Sequence, residues 1–204
     1  MEKTVQERWD TVFSEGKNFS LLNEFFLKEI LTKVEEQNIV PRRVLDLGCG
    51  TGQSSILFAR HGYEVTAVDV STVALEKARE RAHAEGVGDS ALHFIQADLE
   101  SLTDATLPGT FDIIHLKLVL AFIQNKEGLL SFIASILAQP GLVIVTSPIL
   151  KEGVEYPQRL KSISIPEAEL ERLLRSHFTT VTLFHREFFE EQGIAHTYLA
   201  SGKK

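Results

Sequence analysis

The stretch Val44-Leu45-Asp46-Leu47-Gly48-Cys49-Gly50-Thr51-Gly52 decides the reading of this chain. A short apolar run, interrupted by one aspartate, enters a turn with glycine at alternate positions. Gln53 to His61 then reads as a helix stopped by Gly62. Glycine removes the side chain that would keep a ligand away from the backbone, and it tolerates unusual dihedral angles. In open α/β sheets, ligands lie beyond the carboxyl ends of the strands, near the point where strand order reverses.

Downstream, the same unit recurs. Glu64 to Asp69 reads as a second strand, and Ser71 caps a helix with Ala74, Ala78 and Ala82 on one face and Gly86 beyond it. Leu92 to Ile95 is a third strand leading into the turn Gln96-Ala97-Asp98-Leu99, and Phe111 to Leu116 is a fourth. Glu127 to Ala138 is helical, Pro140-Gly141 breaks it, and Leu142 to Thr146 is a fifth, buried strand. Strands alternating with helices predict a parallel sheet covered on both faces, a doubly wound α/β domain. Towards the end, Ser164-Ile165-Pro166-Glu167 matches a capping box opening a helix through Leu170, Leu173 and Leu174. Thr180 to Phe189 and Ala195 to Ala200 read as strands joined by Glu190-Glu191-Gln192-Gly193, a connection so short that one strand must run antiparallel.

Upstream, the first forty residues read as helical. Ser20 caps a helix with Phe19, Leu22, Phe26 and Ile30 at helical spacing, ended by Gln37-Asn38 and Pro41, while Arg8 to Asn18 is a mixed, glycine-containing segment. The organisation expected is one domain over 1–204, with 1–40 as a helical lid and 41–204 as the α/β core.

Composition narrows the partners. The 204 residues carry 44% apolar and 24% charged side chains, ordinary for a globular domain. Net charge is −7, with 28 acidic residues against 21 basic ones. The basic clusters Arg42-Arg43 and Lys203-Lys204 are short, so nucleic acid is disfavoured as a partner. No apolar run reaches the roughly 20 residues that span a bilayer. The start, Met1 to Arg8, has no apolar signal segment, and the single cysteine, Cys49, forms no internal disulfide. The expectation is a cytoplasmic protein, monomer or homodimer, without a membrane partner.

Asp69 ends the second strand about 20 residues after the glycine turn, where an acid binds both hydroxyls of an adenosine ribose. A dinucleotide site also needs glycine or alanine at the last position of G-x-G-x-x-G, and Gln53 stands there. Asp46 places a carboxylate just before the turn, which opposes a pyrophosphate and favours a cationic group. These residues point to a nucleoside cofactor with a cationic end.

The same residues carry a family resemblance. Residues 44–52 resemble the first motif of class I S-adenosylmethionine-dependent methyltransferases. Val68-Asp69-Val70-Ser71 resembles the motif that holds the ribose, and Ala97-Asp98-Leu99 the motif that holds adenine. Phe111-Asp112-Ile113-Ile114 resembles the fourth-strand motif, and Leu137-Ala138-Gln139-Pro140-Gly141 the turn before strand five. The resemblance implies a Rossmann-like sheet of seven strands in the order 3-2-1-4-5-7-6, with strand 7 antiparallel. It implies S-adenosylmethionine as cofactor, S-adenosylhomocysteine as product, and methyl transfer to a small-molecule acceptor. The implied cofactor residues are Asp46, Gly48, Cys49, Gly50, Gly52, Asp69, Val70, Ala97, Asp98, Leu99, Leu116 through its carbonyl, Lys117 and Trp9.

The sequence departs from the family where relatives carry histidine or tyrosine after strand four. Leu118 to Ile123 is wholly apolar, Gln139 replaces a basic residue, and Leu142 replaces a glycine. His115 is the nominee for a general base, with a packed strand histidine as the plain alternative. For Asp98 the plain alternative is a helix cap, and for Asp46 a bond to the turn's backbone amides. Trp9, Phe13 and Phe19 form a candidate aromatic lid over a sulfonium, or a packed core. The connection Pro148 to Ser162, bearing Lys151, Glu152, Tyr156 and Arg159, reads as a substrate loop or a surface link. His185, Glu187 and His196 lack metal-ligand spacing, so no metal is assigned. The rival readings are a non-catalytic adenosyl-cofactor-binding module, an NAD(P)-dependent Rossmann oxidoreductase and a protein methyltransferase.

Overall fold

A computed structural model describes residues 3–16, 28–32, 34, 42–189 and 193–204. The chain forms two compact units, Met1–Leu107 and Pro108–Lys204.

In the first unit, β1 (Arg43–Leu47), β2 (Glu64–Asp69) and β3 (Leu92–Gln96) run parallel, with Leu47 opposite Val68 and Asp69 opposite Gln96. Val44, Leu45, Leu47, Val65, Ala67 and Val68 are fully buried, as near-continuous apolar strands of a covered parallel sheet require. The sequence also marks the helices between them. Ser71 accepts from the Ala74 amide and so caps a helix at Thr72–Ala84, which buries Ala74, Ala78 and Ala82.

The N-terminal reading needs correcting. Of the mixed segment read at Arg8 to Asn18, the residues up to Ser14 belong to a regular helix, α1 (Val5–Ser14). Thr4 and Glu7 form a reciprocal capping box, in which the Glu7 amide donates to Thr4 Oγ1 and the Thr4 amide to Glu7 Oε2. That pairing satisfies two amides at the helix start and outweighs the segment's polarity. Helix α2 covers 28–32 and 34, burying Ile30, Leu31 and Val34. The expected cap at Ser20, with Phe19, Leu22 and Phe26, and the expected stop at Gln37-Asn38 and Pro41 lie outside the described residues. Helix α3 is Gln53–Arg60 and the alanine-striped helix is α4, Thr72–Ala84.

In the second unit, β4 (Phe111–Lys117) and β5 (Leu137–Leu150) are parallel, β8 (Gly193–Lys203) is antiparallel to β5, and β7 (Phe178–Phe189) is antiparallel to β8. The strand order is β3-β2-β1-β4-β5-β8-β7, with the two-residue β6 (Ile165–Pro166) beside β5. Setting β6 aside, this is the expected order, and the terminal hairpin supplies the antiparallel strand. Residues 190–192 of its turn lie outside the described residues.

Three local readings change in this unit. Helix α5 is Lys126–Ile136, and β5 starts directly at Leu137 rather than after Pro140-Gly141. Phe111 pairs with Leu137 but Ile113 with Leu142, so the intervening residues bulge out while the chain stays extended. The capping box at Ser164 does not form. Ile165-Pro166 pair with the end of β5 and hold the chain extended, so helix α7 (Glu167–His177) opens at Pro166 without a side-chain cap. The Pro148–Ser162 connection is partly built structure, since β5 runs to Leu150 and Gln158–Lys161 forms helix α6. Tyr156 is buried, and its hydroxyl accepts from the Lys151 amide at 3.2 Å.

Candidate cofactor site

The turn after β1 is tied to the end of β2 before any ligand is considered. The amides of Gly48 and Cys49 both donate to the Val68 carbonyl, at 2.8 and 3.0 Å. Gly50 has φ +53° and Gly52 φ +76°, in the left-handed region that favours glycine. A Cβ on Gly52 would sit 3.0 Å from the Ala78 Cβ, so a glycine here and an alanine there let α3 and α4 approach closely.

Asp69 organises the turn further. Its Oδ2 accepts from the Gly50 amide at 2.8 Å and its Oδ1 from the Ser71 amide at 2.9 Å. Its backbone carbonyl accepts from the Ala97 amide at 3.0 Å, bringing the post-β3 turn alongside. Burial raises the Asp69 pKa above the ordinary carboxylate value, with backbone hydrogen bonds from Ser71 and Gly50 opposing it and the charge of Asp46 adding to it. Asp46 is itself buried, and Ser55 Oγ donates to its Oδ2 at 2.5 Å. The charges of both carboxylates also act on Cys49. Burial, then Asp69 and Asp46, push its thiol well above the ordinary range, so it stays protonated.

Asp98 takes the local role that the sequence allowed. It is half-buried, caps a short 3-10 turn at Leu99–Ser101, and accepts at Oδ1 from the Glu100 amide at 3.0 Å. Val70 and Ala97 are also half-buried, and Leu99 is buried. The first unit thus gathers Asp46, Gly48, Cys49, Gly50, Gly52, Asp69, Val70, Ala97, Asp98 and Leu99 at the carboxyl ends of β1, β2 and β3.

Helix α1 reaches the same place. A Cβ on Gly50 would lie 3.3 Å from Phe13 Cζ, and the Trp9 and Phe13 rings are 6.0 Å apart, tilted by 33°. Phe19 lies outside the described residues. Sequence reasoning missed Asp10 and Ser55. Asp10 receives hydrogen bonds from Ser71 and Val73 at the start of α4, and a lone aspartate among helical residues announces nothing of the kind. Ser55 carried one signal, a small polar residue on the helix that follows the Asp46 strand.

In the second unit, His115 and Leu116 are buried on β4 and Lys117 ends it half-buried. Leu118 follows with φ +61°, the one non-glycine residue with positive φ among the described residues, and its amide donates to the Thr146 carbonyl at 2.8 Å. A leucine there is strained, at about 1–3 kcal/mol. Its apolar type gave no sign of it.

Comparison with known proteins agrees with this geometry. A family model described as a methyltransferase domain matches residues 41–197. The chain belongs to that family. This methyltransferase domain is 29% identical over 188 residues to the chloroplastic magnesium protoporphyrin IX methyltransferase of Arabidopsis thaliana, covering 82% of this chain and 58% of that protein. It is 35% identical over 106 residues to the mitochondrial ubiquinone biosynthesis O-methyltransferase of Schizosaccharomyces pombe, covering 52% of this chain and 38% of that one. The chain therefore spans less than two thirds of the length of either relative.

Among solved structures, magnesium protoporphyrin IX methyltransferase from Synechocystis with bound S-adenosylhomocysteine superposes with a TM-score of 0.66 at 18% identity, covering 95% of this chain and 93% of that one. An arsenic(III) S-adenosylmethionine methyltransferase from Chlamydomonas reinhardtii gives 0.66 at 24% identity, covering 84% of this chain and 70% of that one. Both establish the shared fold.

Proposed function

We propose that this methyltransferase domain binds S-adenosylmethionine along the glycine turn and carries out methyl transfer to a small-molecule acceptor, leaving S-adenosylhomocysteine. The observation that carries the reading is the Gly50 amide donating to Asp69. In a phosphate-binding turn such amides face the anion. Here the amide is spent on a carboxylate, and Asp46 is buried next to the same turn. Two carboxylates repel a pyrophosphate and suit a cationic ligand.

The residues fit that ligand. Asp46 is the partner for the methionyl ammonium, Asp69 with Val70 for the ribose, and Ala97, Asp98 and Leu99 for adenine. Gly48, Cys49, Gly50 and Gly52 allow close backbone approach, and Trp9 contributes an aromatic face. Leu116, through its carbonyl, and Lys117, both on β4, enter the proposal on the family resemblance alone. When bound, the sulfonium cofactor supplies an electrophilic methyl group. The chain's own task is to orient the acceptor for in-line attack, and orientation contributes about 7–11 kcal/mol. Cys49, held as a thiol, presents no thiolate to intercept the methyl group. His115 serves as a base only for an acceptor that must lose a proton.

The small-molecule acceptor is supported by the names of the relatives, which concern ubiquinone biosynthesis and magnesium protoporphyrin, and by the net charge of −7, which disfavours nucleic acid. No helix among the described residues is long and apolar enough to cross a membrane. The family match, over residues 41–197, includes parts of both units and supports reading them as one domain.

Calorimetric titration with S-adenosylhomocysteine and with NADH tests the cofactor. Homocysteine-nucleoside binding without NADH binding is expected, and the reverse overturns the proposal. Labelled-methyl transfer to a panel of thiols, phenols, amines and carboxylates then tests catalysis. Binding without transfer to any of them favours a non-catalytic adenosyl-binding module.

A further inference from the structure

We infer that Asp10 is a positioning residue that latches helix α1 over the cofactor turn and so sets how long the cofactor is retained. This inference rests on the reading of residues 46–52 and Asp69 as the cofactor site.

Asp10 lies in the middle of α1, where an aspartate is a weak helix former and normally faces water. Here its carboxylate is turned onto the start of α4. Oδ1 accepts from Ser71 Oγ at 2.6 Å and from the Val73 amide at 3.2 Å, while Thr72 Oγ1 lies 3.3 Å from Oδ2 and 3.4 Å from Oδ1. Gln6 Nε2, one turn earlier in α1, lies 3.4 Å from Oδ2. A negative charge at a helix N-terminus meets unsatisfied amides and the positive end of the helix dipole. A second clamp lies further along, where Lys77 of α4 donates through Nζ to the Phe13 carbonyl near the C-terminal end of α1. There a cation complements the opposite dipole end.

The latch is joined to the site through Ser71. The Ser71 hydroxyl reaches Asp10, its amide reaches Asp69, and the other Asp69 oxygen holds the Gly50 amide. A continuous path of hydrogen bonds therefore runs from α1 to the glycine turn. Phe13, one turn beyond Asp10, rests against Gly50, and Trp9, beside Asp10 in sequence, packs towards Phe13. One carboxylate thus helps hold Phe13 at the turn, with Trp9 packed towards it. Without the carboxylate, α1 keeps its own capping box at Thr4 and stays helical, but its polar hold on α4 is reduced to the Lys77 contact at the far end.

Trp9 is the chain's single tryptophan, so its fluorescence reports α1 directly. Stopped-flow mixing of the full chain with S-adenosylhomocysteine, followed at Trp9, gives association and dissociation rates. Asp10→Ala is expected to shift the ligand-free Trp9 emission to the red and to raise the dissociation rate about tenfold, with a much smaller change in association. Asp10→Asn, which keeps an acceptor for Ser71 but not the charge, should fall between Asp10→Ala and the parent, and it decides the matter if Asp10→Ala does not fold. Ala82→Gly, at the far end of α4, weakens that helix without touching the latch and should leave dissociation unchanged.

Parent-like dissociation in both Asp10 variants, or an equal acceleration by Ala82→Gly, overturns the latch. Asp69→Ala separates this failure from that of the cofactor reading. If Asp69→Ala binds S-adenosylhomocysteine as the parent does, the turn is not the site and both readings fall. If it loses binding while the Asp10 variants dissociate normally, only the latch falls.

Discussion

The hydroxyl of Ser55, in the first turn of α3, donates to Oδ2 of Asp46 at 2.5 Å, and both residues are buried. A hydrogen bond to a buried charge is worth more than a neutral one, and deleting its donor exposes the desolvation cost of the carboxylate. Ser55→Ala should therefore destabilise the protein by about 1–3 kcal/mol. For a chain of this size that lowers Tm by roughly 2–4 °C per kcal/mol. Thermal unfolding by circular dichroism measures it, and an unchanged Tm would show that Asp46 does not depend on this donor.

Asp69 receives two backbone amides on its two oxygens, Gly50 on Oδ2 and Ser71 on Oδ1. An amide side chain cannot replace it, because its nitrogen would point at one of those N–H groups. Asp69→Asn should thus weaken S-adenosylhomocysteine binding nearly as much as Asp69→Ala, by at least about tenfold at 1.5–3 kcal/mol for a hydrogen bond to a charged group. Titration calorimetry on both variants checks this. An asparagine variant that binds like the parent would mean the geometry of the turn survives without the charge.

How much of this was legible depended on how local each cause is. Ser71 as a cap, the buried alanine face of α4, and the strand from Glu64 to Asp69 follow from near neighbours in sequence, and all are found. The sheet order followed from the motif resemblance and the short terminal hairpin. What failed needed a distant partner. The Ser164 capping box lost to the pairing of Ile165-Pro166 with β5, and the break at Pro140-Gly141 became a bulge because β4 holds the chain on both sides of it. Asp10 and Ser71 are far apart in sequence, and only the packing of α1 on α4 brings them together. The capping box at Thr4 and Glu7 is local and therefore legible, a threonine followed three residues later by a glutamate.

Leu118 adopts φ +61° directly after β4, where glycine or asparagine would be at ease. A β-branched residue is worse placed there than leucine. Leu118→Val should therefore lower stability by about 1–3 kcal/mol, whereas Leu118→Gly should be close to neutral because relief of backbone strain offsets the lost apolar contact. Urea unfolding of the two variants separates them. Equal losses in both would mean that side-chain packing, not the backbone, dominates at this position.

His196 is fully buried on β8, with Nδ1 3.1 Å from Glu167 Oε1 and 3.4 Å from the Tyr198 hydroxyl, which donates to Glu171 Oε1 at 3.1 Å. Its Nε2 is buried with no hydrogen-bond partner among the described residues. Burial pulls the His196 pKa below the ordinary value of 6.5; Glu167 and Glu171 oppose this, and Arg186 and Lys151 reinforce it. The unfolded chain therefore binds a proton that the folded chain refuses, in the interval between the lowered folded pKa and 6.5. Stability contributed by neutral His196 is complete above pH 6.5 and declines as pH falls through that interval, by at most about 1.4 kcal/mol per pH unit. Below the folded pKa the decline stops, since both states are then protonated. His196→Phe keeps a ring in the core and removes the titration, so the fall in stability between pH 7.5 and pH 5.5 should be shallower than in the parent. Chemical denaturation at a series of pH values gives both curves. Parallel curves would assign the acid sensitivity to other groups.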